Sequence, residues 1–257
     1  MKLSGKVVLV SGGARGLGAA HGRVLCGHGA SVVLGDLRDD EGALVAKGIG
    51  DEARYVHLDV TEERSWAAAI EFAISTFGRL DGLVNNAGIC PSVPLLETAL
   101  EDYRRVLDVN LVGPFLGIKT AAPAIASTGG GSIVNIGSIE GHRGVENLSG
   151  YVSSKFGLQG LTRTAAIELA AQKIRVNTIN PGAIDTPMVW EAGGALLQDE
   201  AKAEVLDWLN KMAPWGRIAT ADEVAEASAY FLSDAAQFVT GADLTIDGGL
   251  TAGAKFS

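Results

Sequence analysis

Short β-branched runs alternate with helix-like stretches along most of this chain, and no other feature constrains the fold as much. The runs are KVVLVS (6–11), SVVLGD (31–36), RYVHLDV (54–60), DGLVNN (81–86), GSIVNIGS (131–138), IRVNTIN (174–180) and ADLTID (242–247). Helix-like stretches lie near 16–28, 62–77, 99–126, 150–170 and 221–233. The strand runs are apolar throughout instead of alternating, as expected where both faces of a sheet are covered. Strands that alternate with helices predict an α/β chain with a doubly wound parallel sheet and helices on both faces. There is no Pro- or Ser-rich linker and no repeat of 20–50 residues, so 1–257 reads as one domain. An irregular polar and aromatic excursion, about 185–215, interrupts the pattern as a candidate lid.

Composition narrows the partners. Of 257 residues 47% are apolar and 20% charged, ample for a buried core. The net charge of −9 argues against nucleic acid and against an anionic membrane surface. No run of 18 or more apolar residues occurs, and the opening MKLSGKVVLVSGG reads as a strand entering a glycine turn, not as a leader. Cys26 and Cys90 are far apart and suggest neither a disulfide framework nor a metal site. The expectation is a reduced, cytoplasmic protein without metal.

The first strand runs into SGGARGLG (11–18). Gly12, Gly13, Gly16 and Gly18 allow a sharp turn and a close approach of backbone to a pyrophosphate, which then rests on a helix N-terminus. The spacing is G-x-x-x-G-x-G and departs from the G-x-G-x-x-G fingerprint, but the strand–turn–helix context is the same. Asp36 ends the second strand. A carboxylate there hydrogen-bonds ribose hydroxyls and repels a 2′-phosphate. Arg15 and Arg38 pull the other way, because guanidinium pairs with phosphate. Asp36 decides the expectation for NAD. Asp59 after the third strand either faces an adenine or merely closes the strand. The turn NNAG (85–88), with Asn86, Ala87 and Gly88, is placed to line the same ligand, since such sheets bind beyond the carboxyl ends of their strands.

Tyr151 and Lys155 are four residues apart on the helix-like stretch 150–170, hence on one face. A free phenol has a pKa of about 10. A fixed positive charge beside it favours the phenolate, so the pair predicts a proton-exchanging tyrosine. Ser138 ends the fifth strand, where its hydroxyl can donate to a carbonyl oxygen and stabilise a developing alkoxide. A serine hydrolase with His142 as base lacks both a G-x-S-x-G elbow and a placeable acidic partner. Asn110 sits unfavourably inside a helix-like stretch, either bonded to a nearby carbonyl or holding a water that links Lys155 to solvent.

Together these strings resemble the short-chain dehydrogenase/reductase family: SGGARGLG, NNAG, Asn110, Ser138, YVSSK (151–155), NPGAIDTPM (180–188) and TGADLTIDGG (240–249), in order over nearly the whole chain. The resemblance implies a Rossmann-type sheet of seven strands. It implies that Tyr151 exchanges the proton, Ser138 orients the substrate oxygen, and Lys155 holds the nicotinamide ribose and lowers the tyrosine pKa. Asn110 would hold the relay water. Gly12, Arg15, Gly16, Leu17, Gly18, Asp36, Leu37, Asp59, Val60, Asn86, Ala87 and Gly88 would bind the dinucleotide with Tyr151 and Lys155. Pro181, Gly182 and Ile184 would contact the nicotinamide, and Thr186 its carboxamide. Family members commonly assemble as tetramers through the helices near 99–126 and 150–170. Where many relatives carry a second serine beside the catalytic one, this chain has Gly137, a departure expected to have little effect.

Within the family the chain is similar to bacterial NAD-dependent 3-alpha/20-beta-hydroxysteroid dehydrogenases, on the stretches GKVVLVSGGARGLGA, ARYVHLDVT, SIEG and TPM. The implied activity is interconversion of a secondary alcohol and a ketone on a bulky hydrophobic substrate such as a hydroxysteroid. Cys90, Ile139, Glu140, His142, Met188 and Trp190 are the expected pocket residues, His142 alternatively being an exposed loop residue. Leu197, Val205, Trp208 and Met212 fit one helical stripe of the lid. A 3-oxoacyl thioester reductase, a sugar or polyol dehydrogenase, and a non-catalytic dinucleotide sensor are the alternatives.

Overall fold

The computed structural model of the chain describes residues 3–191 and 199–253. Seven parallel strands form one sheet: β1 (Val7–Ser11), β2 (Ser31–Asp36), β3 (Ala53–His57), β4 (Gly82–Asn85), β5 (Gly131–Ile136), β6 (Ile174–Pro181) and β7 (Asp243–Ile246). Their order is β3-β2-β1-β4-β5-β6-β7. The helices are α1 (Gly16–Gly27), α2 (Asp39–Ile49), α3 (Glu63–Phe77), α4 (Leu100–Leu107), α5 (Gly113–Ser127), α6 (Ser149–Glu168), α7 (Pro187–Trp190), α8 (Asp199–Met212) and α9 (Ala221–Leu232). The strand order reverses between β1 and β4, whose register pairs Leu9 with Leu83. That switch point opens a crevice at the carboxyl ends of the strands.

Side chains alternate across β1. Val7 and Leu9 join Trp66, Ile70, Ile118 and Ile125 on one face, whereas Val8 and Val10 join Leu25, Val224, Phe231 and Leu232 on the other. Every residue of β1 is buried, which explains its unbroken apolar run. Burying side chains of this size contributes roughly 1.5–3 kcal/mol each. Two cores, one per face, therefore clamp the sheet between helix layers.

Two elements differ from the sequence reading. Helix α2 fills the gap left between the second and third strands. Its interior glycine, Gly42, weakens the helical signal, yet it is what lets Tyr55 pack, since a Cβ there would meet the Tyr55 ring at 2.1 Å. The stretch 99–126 is not one regular helix either, because a π-helical turn (Asp108–Val112) separates α4 from α5. This stretch, Leu100–Ser127, contains an 18-residue window of mean hydropathy 1.3, long and apolar enough by length and composition to cross a membrane. Half of that window is buried within the fold, where α5 packs on α3 and the sheet.

Candidate functional site

A cleft of about 930 Å³ lies beyond the carboxyl ends of the strands. It is lined by Gly12, Asp36, Asp59, Asn86, Ser138 and Pro181, each just past or at the end of a different strand, and by Tyr151 and Lys155 of α6. Residues distant in sequence therefore meet along one edge of the sheet.

The glycine turn is required by its packing. Gly12 has φ +67°, and a Cβ on it would lie 2.8 Å from Ala87 Cα. At Gly18, in the first turn of α1, a Cβ would lie 1.9 Å from the Gly12 carbonyl oxygen, so only glycine fits there. The NNAG turn is laced to it. Asn86 Nδ2 donates to the carbonyls of Ser11 (2.9 Å) and Gly12 (3.1 Å), while Ser11 Oγ accepts from the amides of Asn86 and Ala87, both at 3.1 Å. The first turn of α1 holds no acidic side chain, which leaves its positive end uncompensated. Asp36 is fixed by two amides, accepting from Ala14 at 3.0 Å and Arg38 at 3.1 Å. A bare glycine cradle beside an oriented carboxylate fits the pyrophosphate and ribose of a dinucleotide.

The other expected cofactor residues lie as follows. Arg15, Gly16, Leu17, Gly18, Leu37, Val60, Ala87, Gly88, Gly182, Ile184 and Thr186 line the cleft. Strand β3 ends at His57, two residues before Asp59. The Asp59 carboxylate caps its own turn, accepting from the amide (2.9 Å) and hydroxyl (2.7 Å) of Thr61, while the residue also lines the cleft. Glu101, Arg104 and Arg105 of α4 line it too, unforeseen because no motif marks them.

A buried polar ladder sets the position of α6. Asn85 donates to Asn135 (2.8 Å), Asn135 to Thr162 (2.8 Å), and the hydroxyls of Thr178 and Thr162 pair at 2.8 Å. These bonds join β4, β5 and β6 to the helix. Tyr151 and Lys155 share its cleft-facing side, with Lys155 Nζ 5.4 Å from the centre of the Tyr151 ring. The Lys155 ammonium is buried and donates to the Ile136 carbonyl at 2.8 Å. Burial lowers its pKa to about 8.

The Tyr151 phenol is shifted by burial and by its nearest polar neighbours. Burial pushes the Tyr151 phenol up, Cys90 and Glu140 push the same way, and a hydrogen bond with Ser138 offsets only part of this. Loss of water around the ring is the largest of these effects. A phenol shifted upward holds its proton more firmly and can donate it.

Ser138 lies beyond β5 and donates to Glu140 Oε2 at 2.5 Å, while its oxygen accepts from the Glu140 amide at 3.2 Å. Its own amide donates to Asn180 Oδ1 at 3.2 Å, which also accepts from Gln159 at 2.8 Å. Asn180 Nδ2 is therefore left to donate to His142 Nε2, 3.0 Å away. Asn180 also explains Gly137: a Cβ there would lie 2.1 Å from Asn180 Oδ1. The departure expected to have little effect is instead fitted to this neighbour.

Asn110 sits in the π-helical turn, a distortion frequent at functional sites. Its Oδ1 accepts from the Ile89 amide (2.9 Å), and its Nδ2 donates to the Ile89 carbonyl (2.8 Å) and Ser154 Oγ (3.2 Å). It thus pins the segment after NNAG to α6. Of the expected pocket residues, Met188 lines the cleft. Ile139 is buried, His142 turns to Asn180, and the Trp190 indole donates to Asp185 at 2.9 Å. Cys90 is half-buried, its thiol pushed up to about 11 chiefly by burial. Of the stripe expected in a lid, Val205 and Met212 are half-buried whereas Trp208 is exposed, and Leu197 lies outside the described residues. Among the described residues no group of three or more His, Cys, Asp or Glu could hold a metal ion.

A family model described as Enoyl-(Acyl carrier protein) reductase matches residues 12–251. The chain belongs to the short-chain dehydrogenase/reductase family. It is 44% identical to the 3-alpha-(or 20-beta)-hydroxysteroid dehydrogenase of Mycobacterium tuberculosis, over 98% of this chain and 92% of that one. It is 43% identical to the trans-4-hydroxycyclohexanecarboxylate dehydrogenase of Sinomonas cyclohexanicum, over 98% and 95%. Among solved structures, a 3-ketoacyl-(acyl-carrier-protein) reductase from Brucella melitensis, complexed with NADH, matches with a TM-score of 0.88 at 33% identity, covering 97% of this chain and all of that one. This short-chain dehydrogenase/reductase is thus an oxidoreductase acting on CH–OH groups, and its seven-stranded Rossmann-like sheet is the family's fold. A nicotinamide cofactor is typical of the family.

Proposed function

We propose that this chain is an NAD-dependent dehydrogenase that interconverts a secondary alcohol and a ketone on a bulky alicyclic substrate, a hydroxysteroid or a smaller ring alcohol. The observation that carries the reading is the single cleft shared by the glycine turn, Asp36, Ser138, Tyr151 and Lys155. A bound nicotinamide supplies or accepts the hydride. Tyr151 gives its proton to the substrate oxygen and regains it in the reverse reaction, Ser138 fixes that oxygen, and Lys155 takes the nicotinamide ribose. The Asp36 carboxylate, held by two amides, supports NAD over NADP.

Two similar relatives named for hydroxylated alicyclic compounds support the substrate class. A homotetramer through α4–α6 is supported by the exposed apolar side chains of Leu100, Phe115, Phe156 and Ile167. A cytoplasmic setting agrees with two free cysteines. The test is a panel of hydroxysteroids, cyclohexanols, polyols and 3-oxoacyl thioesters, followed by nicotinamide fluorescence. Turnover of the ring alcohols with NAD is expected, and preference for a polyol or an acyl thioester contradicts the reading.

A further inference from the structure

Both guanidiniums beside Asp36 already have carboxylate partners. Arg15 of the glycine turn forms a two-pronged pair with Glu191, at 2.6 Å and 2.8 Å. Arg38 donates to Glu41 at 2.7 Å. Arg15, Asp36 and Arg38 line the cleft together. The Arg15 pKa is raised first by its bond to Glu191 and then by the charges of Glu191, Glu41 and Asp36, so these side chains feel one another as a cluster. Arg38 in turn helps to hold the Glu191 carboxyl below its usual range, after the larger effect of Arg15.

Glu191 is brought there by the fold. It closes α7, its amide donating to the Pro187 carbonyl at 2.8 Å. Helix α7 begins against the glycine turn, since a Cβ on Gly16 would lie 3.3 Å from Pro187 Cδ. The residue is thus some 176 positions from Arg15 in sequence and in direct contact with it.

A free arginine at a phosphate-binding turn favours an additional phosphate, because its planar fork matches phosphate oxygens. An arginine that already holds a carboxylate with both prongs offers no such site, and an incoming phosphate meets the carboxylate's charge. We propose that Glu191 is a specificity-determining residue, which by occupying Arg15 withholds it from a 2′-phosphate and so selects the dinucleotide that lacks one. This rests on the NAD reading above and adds a second selecting carboxylate to Asp36.

The test is titration of the full-length protein with NADH and NADPH, followed by nicotinamide fluorescence, so that affinity is read without turnover. Wild type is expected to bind NADH more tightly. Glu191→Ala is expected to tighten NADPH roughly tenfold while NADH changes by no more than about twofold, and adding Arg15→Ala should abolish the gain. Retained NADH binding shows that the variant folds. Unchanged NADPH affinity with NADH still preferred overturns the role of Glu191 alone. Equal shifts for both cofactors also overturn it, since they denote a latch without selectivity. A wild type that prefers NADPH overturns the NAD reading, and this inference with it.

Discussion

Lys155 Nζ lies 5.4 Å from the centre of the Tyr151 ring and spends a hydrogen bond on the Ile136 carbonyl, 2.8 Å away. The two residues share one side of α6. Both groups are shifted toward their neutral forms by loss of water, Tyr151 upward and Lys155 down to about 8. A phenol held protonated is suited to giving a proton to a ketone oxygen.

The buried ammonium carries a stability cost with a defined pH window. Its folded pKa of about 8 lies below the unfolded value of about 10.4. Between these values the unfolded chain holds more protons, so this group's contribution to stability rises with pH; below about 8 the full cost is present. Lys155→Met should raise Tm at pH 7. The advantage over wild type should shrink steadily between pH 8 and pH 10. Thermal melts across that range check it, and a constant difference contradicts it.

Gly137 and Asn180 form a second coupled pair. Gly137→Ser forces atoms against Asn180 Oδ1, which positions the Ser138 amide, and should cost about 1–3 kcal/mol of stability together with activity. Removing the obstruction with Asn180→Ala should make the double variant less damaged than the sum of the two single changes. Urea unfolding of the four proteins measures the coupling, and strict additivity contradicts the steric account.

His21 is fully buried, and neither ring nitrogen has a hydrogen-bond partner among the described residues. Burial lowers its pKa to about 3. The unfolded imidazole, with a pKa of about 6.5, binds a proton that the folded one refuses, so stability is lost as pH falls below about 6.5. His21→Leu should lose less Tm than wild type between pH 7 and pH 5. Parallel Tm-against-pH curves rule this out.

The strands and the order of the motifs were legible because strand runs buried on both faces are apolar throughout and the glycine turn must be glycine. Helix α2 was not, because Gly42 and Gly48 mask its helical character while the fit against Tyr55 decides the matter. The pairing of Tyr151 with Lys155 followed from helical spacing alone. The burial that shifts the phenol upward did not, because desolvation depends on how α6 sits over the sheet, which the ladder Asn85–Asn135–Thr162–Thr178 sets through contacts far apart in sequence. Arg15 was visible as a possible phosphate ligand, but its partner Glu191 follows α7, far away in sequence, and carries no local motif.

Everything proposed about the chemistry depends on Tyr151 being the group that exchanges the proton. The most direct measurement compares steady-state turnover of a cyclic secondary alcohol with NADH affinity in Tyr151→Phe, which keeps the ring and removes only the hydroxyl. The account predicts turnover reduced by at least about 100-fold with NADH affinity within about threefold of wild type. Turnover close to wild type, or loss of NADH binding in step with activity, would contradict it.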